Sequence, residues 1–158
     1  MLTIGAFGFN QRSFLDALRD AGVDLFVDIR ARRGVRGSEY AFVNAGRLTS
    51  ALGKAGIPYI HAHALAPSDQ MRAVQAAADE AAGVASRKRL TLSKDYIVLY
   101  ERERMRSFPF RAFTKEVLGE ARRPVLFCVE TEPEACHRSI VARHLAEGLS
   151  VPVHHIRP

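Results

Sequence analysis

The stretch Leu25-Phe26-Val27-Asp28-Ile29 is a near-continuous apolar run that a single carboxylate interrupts. A strand that helices cover on both faces has this pattern, because both of its sides must be apolar. The run therefore predicts an internal strand of a mostly parallel sheet. On both sides of it, short apolar runs alternate with amphipathic stretches, which is typical of successive strand–helix units.

This alternation predicts one α/β domain over residues 1–158, with three α/β/α layers and about five strands. No internal repeat, low-complexity linker or domain boundary interrupts it. The predicted strands cover 2–7, 25–29, 58–65, 124–129 and 151–156. The first predicted helix is capped by Asn10 and ends at Gly22, and the second carries Leu48 and Leu52 and ends at Gly56. The other predicted helices cover 68–89, 93–106, 109–121 and 131–148. For the last of these helices, Thr131 and Glu134 have the spacing of a capping box.

The composition is that of an ordinary globular domain, with 47% hydrophobic and 25% charged residues. No apolar run approaches the ~20 residues that span a bilayer, and residues 1–5 lack the basic flank and apolar core of a signal peptide. We therefore expect a cytoplasmic protein without a membrane partner, in which both cysteines are thiols. The net charge of +6 is compatible with nucleic-acid binding. However, abundant arginine and alanine also accompany a GC-rich genome.

Polar residues gather where the predicted strands end, and the carboxyl ends of parallel strands meet at one edge of a sheet. Asp28 lies inside a buried run, so its carboxylate must be paired or hydrogen-bonded. Arg30 follows two residues later and is the expected partner. We interpret Asp28 as a catalytic candidate and Arg30 as a ligand-binding one. A purely structural ion pair is the alternative.

The segment that follows is rich in arginine and glycine. Arg33 and Arg36 join Arg30 in it, and guanidinium forks on a glycine-punctuated loop can hold a phosphate or a carboxylate with paired hydrogen bonds. We predict that these three arginines bind a ligand. The alternative is a solvated basic loop.

A third group surrounds the last predicted helix. Cys128 and Glu130 come from the end of a strand, and Cys136, His137 and Arg138 fall in the first turns of the helix. A helix start favours anions and lowers the pKa of a thiol. We predict Cys136 as a nucleophile, His137 as a proton donor or acceptor and Arg138 as an anion ligand. Alternatively, Cys136 faces the core.

His61 and His63 lie two residues apart on the third predicted strand and should share one face. With Cys128 or Cys136 they could form a zinc-like site, but their spacing matches no strong metal motif. We therefore predict no metal and no cofactor, and we keep His61, His63, Cys128 and Glu130 as possible additions to the site.

These residues resemble a known family. The chain has Thr3-Ile4-Gly5 with Asn10, then "LFVDIR" at 25–30 with a basic loop, and finally Phe127-Cys128 followed by "CHRS" at 136–139. Together they are similar to the family called domain of unknown function 488. The resemblance implies a three-layer α/β fold. It covers about 2–65 and 95–156, whereas 66–92 have no clear match. After the third predicted strand, residues 64–67 read Ala-Leu-Ala-Pro, where the family tends to have a short acidic-leucine-glycine turn.

The leading functional hypothesis is an enzyme-like site for a small phosphorylated ligand or nucleotide, built from Asp28, Arg30, Cys136, His137 and Arg138. The first alternative is a nucleic-acid-associated module that uses the same arginines without turnover. The second is a structural domain in which the cluster serves as helix cap and core. The oligomeric state is not encoded in any of these motifs.

Overall fold

The computed structural model describes all residues from 1 to 158. It contains five β-strands and six α-helices, which alternate along the chain except that three helices in succession separate the third strand from the fourth. The strands are β1 (Leu2–Ile4), β2 (Leu25–Asp28), β3 (Tyr59–His61), β4 (Pro124–Phe127) and β5 (His154–Ile156). The helices are α1 (Gln11–Asp20), α2 (Ala45–Lys54), α3 (Asp69–Ala81), α4 (Lys94–Tyr100), α5 (Phe110–Phe113) and α6 (His137–Leu149). None of these helices is both long and apolar enough to cross a membrane.

All five strands run parallel in the order β3-β2-β4-β1-β5. The predicted parallel α/β fold is therefore confirmed. β2 and β4 lie side by side, with Val27 opposite Leu126 and Asp28 opposite Phe127. Their carboxyl ends, which carry the polar residues of the predicted site, consequently open at the same edge of the sheet.

The sheet separates two apolar layers. On one face, Phe26 and Phe127 pack with Phe14 of α1 and with Leu48 and Leu52 of α2. On the other face, the strand residues Leu25, Val27 and Leu126 pack against α3, α4, α5 and α6. Successive residues of β2 thus enter opposite cores, which is why the strand is apolar throughout.

Side chains in the first turns fix where several helices begin. Asn10 caps α1 by accepting from the Ser13 amide, Ser68 caps α3 through Met71, and Ser93 caps α4 through Tyr96. Each cap satisfies an amide that would otherwise lack a partner. The predicted helices at 93–106 and 109–121 are present, but each ends in a wider π-helical turn, at Glu101–Met105 and at Thr114–Leu118.

Several predicted boundaries are wrong. The third strand ends at His61 rather than Leu65, because His63–Leu65 form a 3-10 turn, so His63 does not lie on the strand with His61. The alanine-rich helix ends at Ala81 rather than Arg89, because Gly83 takes a left-handed conformation and a separate 3-10 turn follows at Ser86–Lys88. The last helix begins at His137 rather than Thr131. Thr131 does not cap it, since its hydroxyl donates to the Phe7 carbonyl 3.2 Å away.

Candidate functional site

A cavity of about 420 Å³ opens at the carboxyl edge of the sheet. Its walls come from the loops after β2 and β4, from the start of α6 and from the segment that runs from α3 to α4. The residues with side chains or backbone in the wall include Phe7, Arg30, Arg32, Arg36, Arg72, Gln75, Asp79, Arg89, Tyr96, Cys128, Glu130, Cys136 and His137. Small-molecule sites in proteins commonly have this size.

Asp28 and Arg30 form a buried ion pair beneath this cavity, as the sequence predicts. Nε and Nη2 of Arg30 donate to the two carboxylate oxygens of Asp28 at 2.9 and 2.7 Å, and the Arg30 amide donates to the same carboxylate at 3.0 Å. The Tyr59 hydroxyl adds a fourth bond at 2.8 Å. Asp28 does not line the cavity. Through the two bonds to Nε and Nη2, the Asp28 carboxylate fixes the orientation of the Arg30 guanidinium.

One nitrogen of the Arg30 guanidinium, Nη1, lacks a hydrogen-bond acceptor. Its guanidinium lies 4.6 Å from the centre of the Phe127 ring and is only 3% exposed. Nη1 is buried and has no hydrogen-bond partner within the protein. A buried charged donor without an acceptor is costly, and in a native protein such a group requires an explanation. Since Arg30 lines the cavity, an anionic ligand there would supply the acceptor.

Cys128, Cys136 and His137 form a compact set at the cavity wall, which we call the thiol–imidazole cluster. One donor atom from each residue lies within 4.8 Å of the other two. Sγ of Cys136 and Nδ1 of His137 are 3.9 Å apart. Both sulfurs are buried, although the cavity reaches them.

The two thiols of this cluster differ in their acidity. Burial raises the pKa of Cys136, but a hydrogen bond from Cys128 and the charges of His137 and Arg138 outweigh it, so the pKa lies well below its ordinary value. The hydrogen bond to Cys136, together with burial, raises the pKa of Cys128 well above normal. Cys136 is therefore the more acidic thiol of the pair.

His137 is oriented by the strand beside it. Its Nε2 lies 3.1 Å from the carbonyl oxygen of Ile29. Because a carbonyl oxygen only accepts, Nε2 carries a proton and donates it, which leaves Nδ1 directed at Cys136. The sequence places His137 next to Cys136 in the chain, whereas the contact with the end of β2 depends on the fold.

Arg138 occupies a different position from the other predicted ligands. It is 1% exposed and does not line the cavity. Its Nη1 donates to the Glu130 carbonyl at 2.5 Å and its Nη2 to the Thr131 carbonyl at 2.9 Å. In this position Arg138 fixes the loop after β4, and it acts on the cluster through its charge.

Of the remaining predicted site residues, some line the cavity and others lie outside it. Arg36 and Glu130 line the cavity, whereas Arg33 is exposed outside it. His61 donates from Nε2 to the Arg30 carbonyl oxygen 2.9 Å away, and the centre of its ring lies 5.4 Å from that of the His63 ring. Neither histidine joins the cysteines.

Residues that sequence analysis missed complete the opposite wall. Arg89 donates to Asp79 at 2.6 Å, to Glu130 at 3.3 Å and to the Ala135 carbonyl at 3.1 Å, while Gln75 donates to Asp79 at 2.8 Å. A signal was present: Gln75 and Asp79 continue the buried stripe of α3 that Met71 begins. Polar residues on a buried helical stripe indicate a shared partner.

Glu130 lies between Arg89 and the thiol–imidazole cluster. Burial and the negative charge of Cys136 raise the pKa of its carboxyl to about 7, although the charges of Arg89 and Arg138 oppose this. The ion pair with Arg89 stabilises the Glu130 carboxylate, but burial has the larger effect on the pKa. The carboxyl therefore changes its protonation state near neutral pH.

The fold and the site define a parallel α/β domain with a polar cavity at the carboxyl edge of its sheet. The chain belongs to the family described as Domain of unknown function DUF488, whose profile matches residues 10–145. The matched range includes 66–92, the region for which the sequence motifs show no clear resemblance. No curated protein matches the chain, and no solved structure does.

Proposed function

We propose that this chain is an enzyme-like domain that binds a small phosphorylated ligand, such as a nucleotide, in the cavity at the carboxyl edge of the sheet. In this proposal Arg30 receives the phosphate and the thiol–imidazole cluster carries the chemistry. With both thiols reduced, the domain would work in the cytoplasm.

One observation carries the proposal. Arg30 lines the cavity with a buried guanidinium whose Nη1 has no acceptor in the protein. Asp28 already neutralises part of its charge and fixes its orientation through two bonds. An oxyanion bound at Nη1 would complete the hydrogen bonding of Arg30 with a charge-assisted bond.

The other walls favour an anion of limited size. Arg32 and Arg36 bring exposed guanidinium groups to the rim, whereas Arg72 is paired with Asp69 and Arg89 with Asp79 and Glu130. A concave site of about 420 Å³ suits a small molecule rather than an extended nucleic-acid strand. The pKa of Cys136 is lowered and that of Cys128 is raised, and strongly shifted pKa values in a cavity wall support a chemical role for the cluster.

The first prediction concerns two arginines of the same loop. Arg36 lines the cavity and Arg33 does not, although both are exposed. We expect Arg36→Ala to weaken binding of phosphate-bearing ligands by about 1 to 2 kcal/mol, roughly 5- to 30-fold, through loss of a charge-assisted contact. Arg33→Ala is the matched control and should leave affinity nearly unchanged. Calorimetric titration with inorganic phosphate and with nucleotides measures both.

The same titration at two salt concentrations separates the proposal from nucleic-acid binding. A single phosphate site gives a shallow slope of log affinity against log salt, whereas several phosphate contacts along a strand give a steep one. Equal losses for the two variants, with a steep slope for oligonucleotides, would contradict the proposal and favour the nucleic-acid alternative.

A further inference from the structure

The thiol–imidazole cluster has the donor set of a zinc site. Two cysteine sulfurs and one imidazole nitrogen are ligands that Zn²⁺ prefers in proteins. A tetrahedral zinc ion with bonds of about 2.0 to 2.3 Å holds its ligand atoms roughly 3.5 to 3.8 Å apart. The cluster is close to this spacing, with 3.9 Å between Sγ of Cys136 and Nδ1 of His137 and no separation above 4.8 Å.

The orientation of His137 is a second and independent indication. A histidine that binds a metal usually donates its other ring N–H to a carbonyl or carboxylate, which fixes the ring. Nε2 of His137 makes this bond with the Ile29 carbonyl at 3.1 Å. Nδ1 is therefore free of a proton when the ring is neutral, and it points into the cluster as a ligand would.

Burial and charge agree with the same assignment. Cys128, Cys136 and His137 are all less than a tenth exposed. Two thiolates alone would place two negative charges in this buried region, which is unfavourable. A divalent cation cancels both charges, so the bound cluster would be neutral.

From this geometry we propose that Cys128, Cys136 and His137 bind one Zn²⁺ ion and that its fourth coordination position faces the cavity. Three protein ligands with one open position are typical of catalytic rather than structural zinc sites. The fourth position would take a water molecule or an oxygen of the ligand held at Arg30. This zinc site rests on the proposed function in that it would supply the chemistry of the same cavity. The evidence for it, however, comes from Cys128, Cys136 and His137 rather than from Arg30. The sequence motifs alone predict no metal here.

The test uses the full-length chain, purified with its thiols reduced and stripped with a chelator. We expect it to bind one equivalent of Zn²⁺ with a Kd tighter than about 1 μM in competition with a metal indicator. Co²⁺ in place of Zn²⁺ should give thiolate-to-metal charge-transfer absorption and the intense visible bands of a tetrahedral ion. Reduced wild-type protein that binds less than one equivalent would overturn the proposal.

Variants identify the ligands. Cys128→Ser, Cys136→Ser and His137→Gln should each weaken zinc binding at least about 100-fold, since loss of a ligand costs no less than loss of an outer-shell partner. His63→Gln is the control, because His63 is an exposed histidine at the same edge of the sheet outside the cluster. Unchanged affinity in Cys136→Ser, or an equal loss in His63→Gln, would contradict the assignment. The stoichiometry of the wild type decides the question even if a variant fails to fold.

The two proposals can fail separately. If Arg36→Ala loses phosphate affinity while it retains one zinc ion, both proposals stand. If the metal-free wild type binds phosphate but takes up no zinc, the zinc site is wrong and the anion site remains. If zinc binds but phosphate does not, the proposed function fails and the metal site remains.

Discussion

At the scale of single residues, the buried pair of Asp28 and Arg30 links the sequence to the site. A carboxylate inside an apolar run must find a partner, so the pairing could be predicted from the sequence alone. The contribution of Tyr59 could not, because its hydroxyl reaches Asp28 only when β3 lies beside β2. The absence of an acceptor for Nη1 of Arg30 is likewise visible only in the folded structure.

The second prediction follows from this pair. Asp28→Asn removes the charge that balances Arg30 in a fully buried environment, and breaking such a pair costs about 3 to 5 kcal/mol. Asp16→Asn is the control, because Asp16 forms an exposed ion pair with Arg19 at 2.7 Å and exposed pairs contribute at most about 1 kcal/mol. Urea unfolding of both variants measures the difference. Equal stability of Asp28→Asn and wild type would show that the pair does not hold Arg30.

At the scale of elements, β1 and the loop after β4 approach each other so closely that only glycine fits between them. A Cβ atom built on Gly5 would collide with the backbone carbonyl of Glu130 and would lie 3.3 Å from Nη1 of Arg138. The loop between β4 and α6 is thereby held against β1, and its position sets the distance between Cys128 and Cys136.

The third prediction uses this contact. Gly5→Ala should lower the free energy of unfolding by about 1 to 3 kcal/mol, because the backbone of Glu130 must move. It should also weaken zinc binding, since the loop carries two of the cluster's residues. Gly46→Ala in α2 is the control, because a Cβ atom there meets nothing within 4 Å, and it should be neutral or stabilising by up to about 1 kcal/mol. A Gly5→Ala variant as stable as Gly46→Ala would contradict this account of the loop.

The start of α6 shows where local sequence signals fail. Thr131 and Glu134 have capping-box spacing, but Thr131 is bonded to the Phe7 carbonyl across the sheet edge, and Cys136 takes an extended conformation with φ −140° and ψ 140°. The helix therefore begins only at His137. A contact between segments distant in sequence overrides the local preference.

At the scale of the whole molecule, the parallel sheet and the edge that carries the site are predictable because strand–helix alternation is a local signal. The wall that α3 and Arg89 form is not predictable, since two of the bonds that close it join residues 41 and 46 positions apart, from Arg89 to Glu130 and from Arg89 to the Ala135 carbonyl. The zinc-binding geometry depends on the same long-range folding. Cys128 and Cys136 are visible in the sequence, but the orientation of His137 depends on Ile29.

The most direct test of the central claim is the position of a bound anion in a crystal structure of the full chain soaked with phosphate. We expect an ordered phosphate in the cavity with one oxygen about 2.7 to 2.9 Å from Nη1 of Arg30. Arg36→Ala crystals should show weaker occupancy at the same place, and Arg33→Ala crystals should not. Phosphate found only on the exposed loop around Arg33, with the cavity free of it at saturating concentration, would contradict the account.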